Sequence, residues 1–197
     1  MTDVISPALH HITLRTTKKQ ELIDWYGVVA GLDVVFEFPF GAWLTNDAAN
    51  HRFALLAFPG MSEDPEKGGH TGIDHLAFEY ASAEDLMSSY ARLRDLGITP
   101  LMCLDHGMTF SLYYRDPDGN SVELQVDAFG DWERSTEFMR SAPQFAANPL
   151  GHFFDPEQVY QAMQSGLTLE DVRADIASYL PDPLPDVPFA PVPENER

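Results

Sequence analysis

The chain has 197 residues, 44% of them hydrophobic, and a formal charge of −19, a size and apolar share that suit one globular domain or two small modules with a common core. Such an excess of carboxylates repels a phosphate backbone and argues against nucleic acid as a partner. No apolar run reaches a bilayer span, the N-terminus lacks the basic and apolar regions of a signal peptide, and a single cysteine, Cys103, excludes an internal disulfide; a cytoplasmic protein without membrane contact is expected, with Cys103 as a buried filler.

Residues 9–16 alternate, with Ile12 and Leu14 on one side and His11, Thr13 and Arg15 on the other, the period of a half-buried strand. Residues 18–30 read as a helix, with Leu22, Ile23, Tyr26 and Val29 at helical spacing and Gly31 as its terminator. Three short strands follow, at 32–38, 41–45 and 51–58. A connector rich in glycine, proline and charge, 60–72, leads into a second pass: a strand at 73–80, a helix at 83–95 closed by Gly97, and strands at 98–104, 107–114 and 120–126. Asp116-Pro117-Asp118-Gly119-Asn120 supplies the turn before the last strand.

The two passes are in register, since His11 lies 15 residues before Tyr26 and His75 lies 15 before Tyr90. An internal repeat of this kind decides the fold: an α+β protein of two βαβββ modules, residues 1–60 and 72–127, forming a curled mixed sheet around a central cleft with the helices outside. Residues 128–197 form a separate extension. It carries helix signals at 131–140, at Asp155-Pro156-Glu157 and at Thr168-x-x-Asp171, then six prolines between 181 and 193 that predict an extended or disordered stretch. The extension is expected to cover the sheet or to build a homo-oligomer contact.

Three ligand-type side chains share a parity. His11 opposes Ile12 and Leu14, His75 opposes Leu76 and Phe78, and Glu123 opposes Val122, Leu124 and Val126. Because the apolar stripes must face the helices, all three are expected to face the cleft. Two imidazoles and a carboxylate on one face of a metal form the facial triad of non-heme iron(II) oxygenases, which leaves positions open for substrate and dioxygen. The strand around Leu55 offers no carboxylate or amide as a fourth ligand, so an open site is expected. His10, His70 and His152 read as surface or packing residues. Phe38, Phe40, Trp43, Phe110 and Phe129 are candidates for an aromatic substrate wall and equally for core.

The repeat, the strand-borne histidines and the closing Glu123 resemble the vicinal oxygen chelate superfamily. Within it, His106, five residues, Leu112-Tyr113, two residues, Asp116-Pro117-x-Gly119, three residues, Glu123 resembles the signature of type I extradiol ring-cleavage dioxygenases, with Leu104 as a mild departure two places before the histidine. Residues 50–59, Asn-His-Arg-Phe-Ala-Leu-Leu-Ala-Phe-Pro, are similar to the segment that carries the active-site histidine in biphenyl-diol dioxygenases. The resemblance covers residues 9–126 and points to the short, one-domain members. It implies Fe(II), with Mn(II) or another divalent metal as alternative, held by His11, His75 and Glu123, and a catechol and O2 as reactants. It further implies that His51 is the acid/base group and that His106 and Tyr113 hydrogen-bond the catecholate. A glyoxalase-like isomerase or lyase, and a non-catalytic small-molecule binder of the same superfamily, are the alternatives. One geometric condition is attached: His106 and Tyr113 are seven residues apart, so they meet only if His106 precedes the strand or a bulge intervenes, which Gly107 permits.

Overall fold

The computed structural model describes residues 5–185. Residues 186–193, the larger part of the proline-rich stretch expected to be extended or disordered, lie outside the described residues, as do residues 1–4. The chain divides into two compact units, one holding the residues up to Leu76 with Arg115–Val122, the other Ala77–Tyr114 with the chain from Glu123 onward.

In the first unit, β1 (Ile12–Arg15) leaves Ile12 and Leu14 half-buried and Thr13 and Arg15 exposed, as the alternation requires. Helix α1 (Lys19–Ala30) buries Leu22, Ile23, Tyr26 and Val29 and ends on Gly31, whose φ of 65° lets its N–H reach the Tyr26 carbonyl. Strands β2 (Asp33–Phe38), β3 (Gly41–Thr45) and β4 (Phe53–Leu56) complete a sheet of order β1-β4-β3-β2. Within it β1 and β4 run parallel, with Ile12 opposite Phe53, while β3 is antiparallel to both its neighbours. The turn after Arg115 is built on the buried Asp116. Its Oδ1 accepts from the amides of Asp118 (2.9 Å) and Asn120 (2.8 Å), and its Oδ2 accepts from Asn120 Nδ2 (2.7 Å) and the Tyr26 hydroxyl (3.0 Å). Gly119 takes the positive φ of 79° that closes the turn.

The second module repeats the order. Strands β5 (His75–Tyr80), β6 (Met102–Asp105), β7 (Thr109–Arg115) and β8 (Ser121–Asp127) lie as β5-β8-β7-β6, the counterpart of β1-β4-β3-β2. Between β5 and β6, α2 (Ala83–Asp95) starts on Ser82, whose hydroxyl accepts the Asp85 amide, and buries Leu86, Met87, Tyr90 and Leu93. The fold is thus α+β, two βαβββ modules with a sheet each. Cys103 is buried, as expected of a filler, and burial pushes its thiol up.

The extension contains α3 (Trp132–Ser141), α4 (Pro143–Ala147), β9 (His152–Phe153), α5 (Pro156–Gln164) and α6 (Leu169–Ala174). Asp131 and Asp155 cap α3 and α5, and Thr168 and Asp171 form a reciprocal capping box on α6. The short α4 and β9 carry no periodicity to read. Yet β9 adds a fifth strand beside β6, with Phe153 opposite Leu104 and His152 opposite Asp105. The next residue, Phe154, stacks on Phe110 at 3.8 Å between ring centroids with both rings buried. Of the two readings left open for Phe110 the core one holds, because the extension supplies the ring that covers it.

Candidate functional site

Several strands begin later than the alternation predicts, and two of them leave a histidine outside. His11 immediately precedes β1, His51 precedes β4 by two residues, and His106 lies in the loop between β6 and β7. Because β1 and β4 are parallel, their first residues lie at the same end of the sheet, where Ile12 N–H bonds the Arg52 carbonyl at 3.0 Å. His11 and His51 therefore meet, with ring centroids 4.4 Å apart. His10 joins them, its Nδ1 3.0 Å from His11 Nδ1. Nitrogen atoms of the three imidazoles lie within 4.8 Å of one another, a spacing able to hold a metal ion. His10 is exposed, as a surface residue would be, and is also a member of this cluster.

His51 Nδ1 is 2.8 Å from Asn50 Oδ1. An amide oxygen only accepts, so Nδ1 carries the proton and the lone pair sits on Nε2. Burial, followed by the neighbouring His11 and His10, lowers the His51 pKa from its ordinary value and favours the neutral ring. His75 opens β5 half-buried, its Nδ1 2.7 Å from Asp74 Oδ2. The carboxylate fixes the same tautomer there, with the lone pair on Nε2. His75 also lines a cavity of about 310 Å³ in the first unit together with Leu14, His70 and Asp74. His70 itself is engaged with Asp64 at 2.8 Å, and His152 is exposed on β9.

In the second unit, Glu123 on β8 is 5% exposed and Tyr113 on β7 is 6% exposed. The Tyr113 hydroxyl donates to Glu123 Oε1 at 2.9 Å, and His106 Nε2 lies 2.8 Å from the same hydroxyl. A carboxylate only accepts and a phenol has one proton, so the direction is fixed: His106 N–H to Tyr113 oxygen, Tyr113 O–H to Glu123. The geometric condition on this pair is met by His106 preceding β7, with Gly107 at φ 86° making the reversal. Parity along a strand does not bind a residue outside the strand.

The remaining aromatic candidates separate by neighbour. Phe38 and Trp43 stack at 4.7 Å, with Phe36 5.4 Å from Trp43, and Phe40 lies 6.3 Å from Phe58. Phe129 meets Phe138 at 5.3 Å in the second unit.

The sequence pattern of the Glyoxalase/Bleomycin resistance protein/Dioxygenase superfamily matches residues 8–124. The chain belongs to this superfamily. Among its curated relatives, Biphenyl-2,3-diol 1,2-dioxygenase 2 of Rhodococcus globerulus is 36% identical over 93% of this chain and 94% of its own length. Biphenyl-2,3-diol 1,2-dioxygenase 3 of the same organism is 39% identical over 83% of this chain and 85% of its own. A solved glyoxylase/bleomycin resistance protein/dioxygenase domain from Frankia sp. EAN1pec shares the fold, with a TM-score of 0.54 at 18% identity over 64% of this chain and 96% of that one. The superfamily pattern ends at Leu124, whereas the first relative aligns over 183 residues, so its likeness runs beyond the two modules into the extension. Among the described residues, no helix is long and apolar enough to cross a membrane.

Proposed function

We propose that the protein is an extradiol ring-cleavage dioxygenase that opens a catechol with O2 at a divalent metal, Fe(II) first and Mn(II) as the alternative. The observation that carries the reading is the hydrogen-bonded row of His106, Tyr113 and buried Glu123. It sets a metal-type carboxylate directly beside two donors of the kind a catecholate needs. Near full-length similarity to two enzymes named for biphenyl-2,3-diol supports an aryl-substituted catechol as substrate, and the stacked pair Phe38 and Trp43 supports an aromatic wall. The exposed apolar edge of β2, at Val34, Val35 and Phe36, supports assembly into a homo-oligomer.

In this reading His11, His75 and Glu123 are the metal ligands. The donor set fits: two imidazoles and a carboxylate suit a divalent first-row ion, and a carboxylate taken out of water is stabilised by a cation. When bound, the ion supplies Lewis acidity for the catechol oxygens and the redox chemistry with O2. His51 takes a catechol proton at Nε2, the nitrogen that the Asn50 contact leaves with the lone pair. Substrate binding turns the His106 N–H or the Tyr113 O–H from its partner in this row toward the deprotonated oxygen. Asp74 holds the His75 ring in its ligating tautomer.

The test is anaerobic loading with Fe(II), addition of a panel of catechols, and admission of air while O2 uptake and a coloured ring-opened product are followed. Absence of O2 consumption with every catechol, despite one iron per chain, would leave an isomerase, lyase or binding protein of the superfamily. The same assay separates the proposed ligand set from the three-imidazole cluster. Glu123→Ala loses iron and His51→Ala keeps iron but loses turnover under the proposal, whereas the cluster predicts metal loss in His51→Ala.

A further inference from the structure

The loop that carries His106 is gripped from outside the two modules. Arg173, on α6 of the extension, donates from Nε to Asp105 Oδ2 at 3.0 Å and from an Nη to the Gly107 carbonyl. These are the residues on either side of His106. Asp105 is 6% exposed, and its other oxygen accepts the Gly107 amide at 2.8 Å, so the guanidinium closes a ring of hydrogen bonds around the histidine backbone. A planar fork of fixed geometry spans a carboxylate and a carbonyl in this way; a lysine ammonium makes one of the two contacts well. Arg173 is itself pinned, because Val172 beside it is fully buried and the Thr168–Asp171 capping box fixes the helix start.

Two further contacts come from the same extension. At Gly151, just before β9, an added Cβ would lie 2.0 Å from the Asp105 carbonyl oxygen and 2.7 Å from His106 Cα. The chain therefore passes directly against the loop backbone. At Gly107 an added Cβ would lie 2.8 Å from the Phe138 ring of α3. Three separate segments, α3, Gly151 and α6, thus converge on residues 105–107, whose middle side chain, His106, bonds Tyr113 at 2.8 Å.

We infer that Arg173 is a positioning residue for His106, and that the C-terminal extension serves the reaction by fixing this loop so that the imidazole is aimed at the Tyr113 hydroxyl and the substrate. The inference deepens the dioxygenase reading and rests on it for the role of His106 toward substrate. Its structural half stands on the apoprotein alone.

The test has two arms. In the metal-free protein, the His106 ring nitrogens are followed by 1H–15N correlation in wild type and Arg173→Met. Loss or displacement of the Nε2–H signal is expected, and an unchanged ring spectrum overturns the inference. In the Fe(II)-loaded enzyme, kcat and KM for a turned-over catechol are measured for wild type, Arg173→Met, His106→Ala and the double variant. Arg173→Met is expected to lower kcat/KM about 10- to 100-fold, as a misplaced group does, but by less than about threefold once His106 is already alanine. Equal losses in both backgrounds mean that Arg173 only supports the fold, and overturn the inference. Arg173→Lys, which keeps the charge opposite Asp105, is expected between the two, and carries both arms if the methionine variant does not fold. If wild type shows no oxygenase turnover, the proposed function fails and the ring spectrum alone decides the positioning role.

Discussion

Tyr113→Phe removes one oxygen atom from a side chain that is 6% exposed and leaves the ring to pack as before. No cavity term of consequence arises, so the loss is that of the bond. Its acceptor is the carboxylate of Glu123, 2.9 Å away and 5% exposed, and a hydrogen bond to a charged group contributes about 1.5–3 kcal/mol. In a chain of this length each kcal/mol shifts the melting temperature by about 2–4 °C, so a fall of about 3–12 °C is expected in the metal-free protein. The half-buried His106 loses an acceptor too, but water replaces it there. A second effect follows if Glu123 ligates metal: removing the group that orients a ligand lowers metal affinity by about 10- to 100-fold. Urea unfolding of wild type, Tyr113→Phe, Glu123→Gln and the double variant measures the first effect, and anaerobic metal titration the second. A phenylalanine variant within about 0.5 kcal/mol of wild type, or a cycle with no coupling between the two positions, would show that the hydroxyl does not hold the carboxylate.

Tyr26→Phe takes one of four donors from Asp116, the others being the amides of Asp118 and Asn120 and the Asn120 side chain. With three donors remaining, the cost is expected at the lower end for a charged acceptor, about 1.5 kcal/mol by urea unfolding; wild-type stability would mean that the turn is held by its own amides alone. Glu157 is kept below the usual carboxylate range by Gln161, then by Arg94 and Tyr90. A carboxylate depressed in the folded state adds stability above its unfolded pKa of about 4.3 and loses it as pH falls through the lower folded value. The melting-temperature gap between wild type and Glu157→Gln should therefore be constant near neutrality and shrink in acid; a gap unchanged down to pH 3 would refute the assignment.

The βαβββ repeat was readable because burial alternates where a sheet has one wet face. Ile12 and Leu14 are more buried than Thr13 and Arg15, and Leu76 and Phe78 more than Ala77 and Glu79. The same alternation cannot find where a ladder starts, since that depends on which partner strand is present. The strand starts at 9 and 51 accordingly fall later, beyond His11 and His51, whereas His106 lies between strands as expected. The grip of the extension on the His106 loop was not readable at all. Arg173 and Asp105 are 68 residues apart, and nothing local distinguishes this arginine from one on a solvated helix face. Gly151 carried the only available signal, a glycine among loop residues, and many loops have one.

His10 shows how a parity argument fails at a strand mouth. The alternation of residues 9–16 would put His10 on the side of Ile12 and Leu14, but the ladder begins at Ile12, and a residue two places earlier has no fixed face. Its Nδ1 stands 3.0 Å from His11 Nδ1, a distance at which one nitrogen must donate and the other accept. If His11 donates, its lone pair lies on Nε2, the tautomer that Asp74 imposes on His75 at the matching position of the repeat. The two modules then solve one problem with different residues: each orients a strand-mouth histidine through Nδ1 by the residue immediately before it, an imidazole in the first module and a carboxylate in the second.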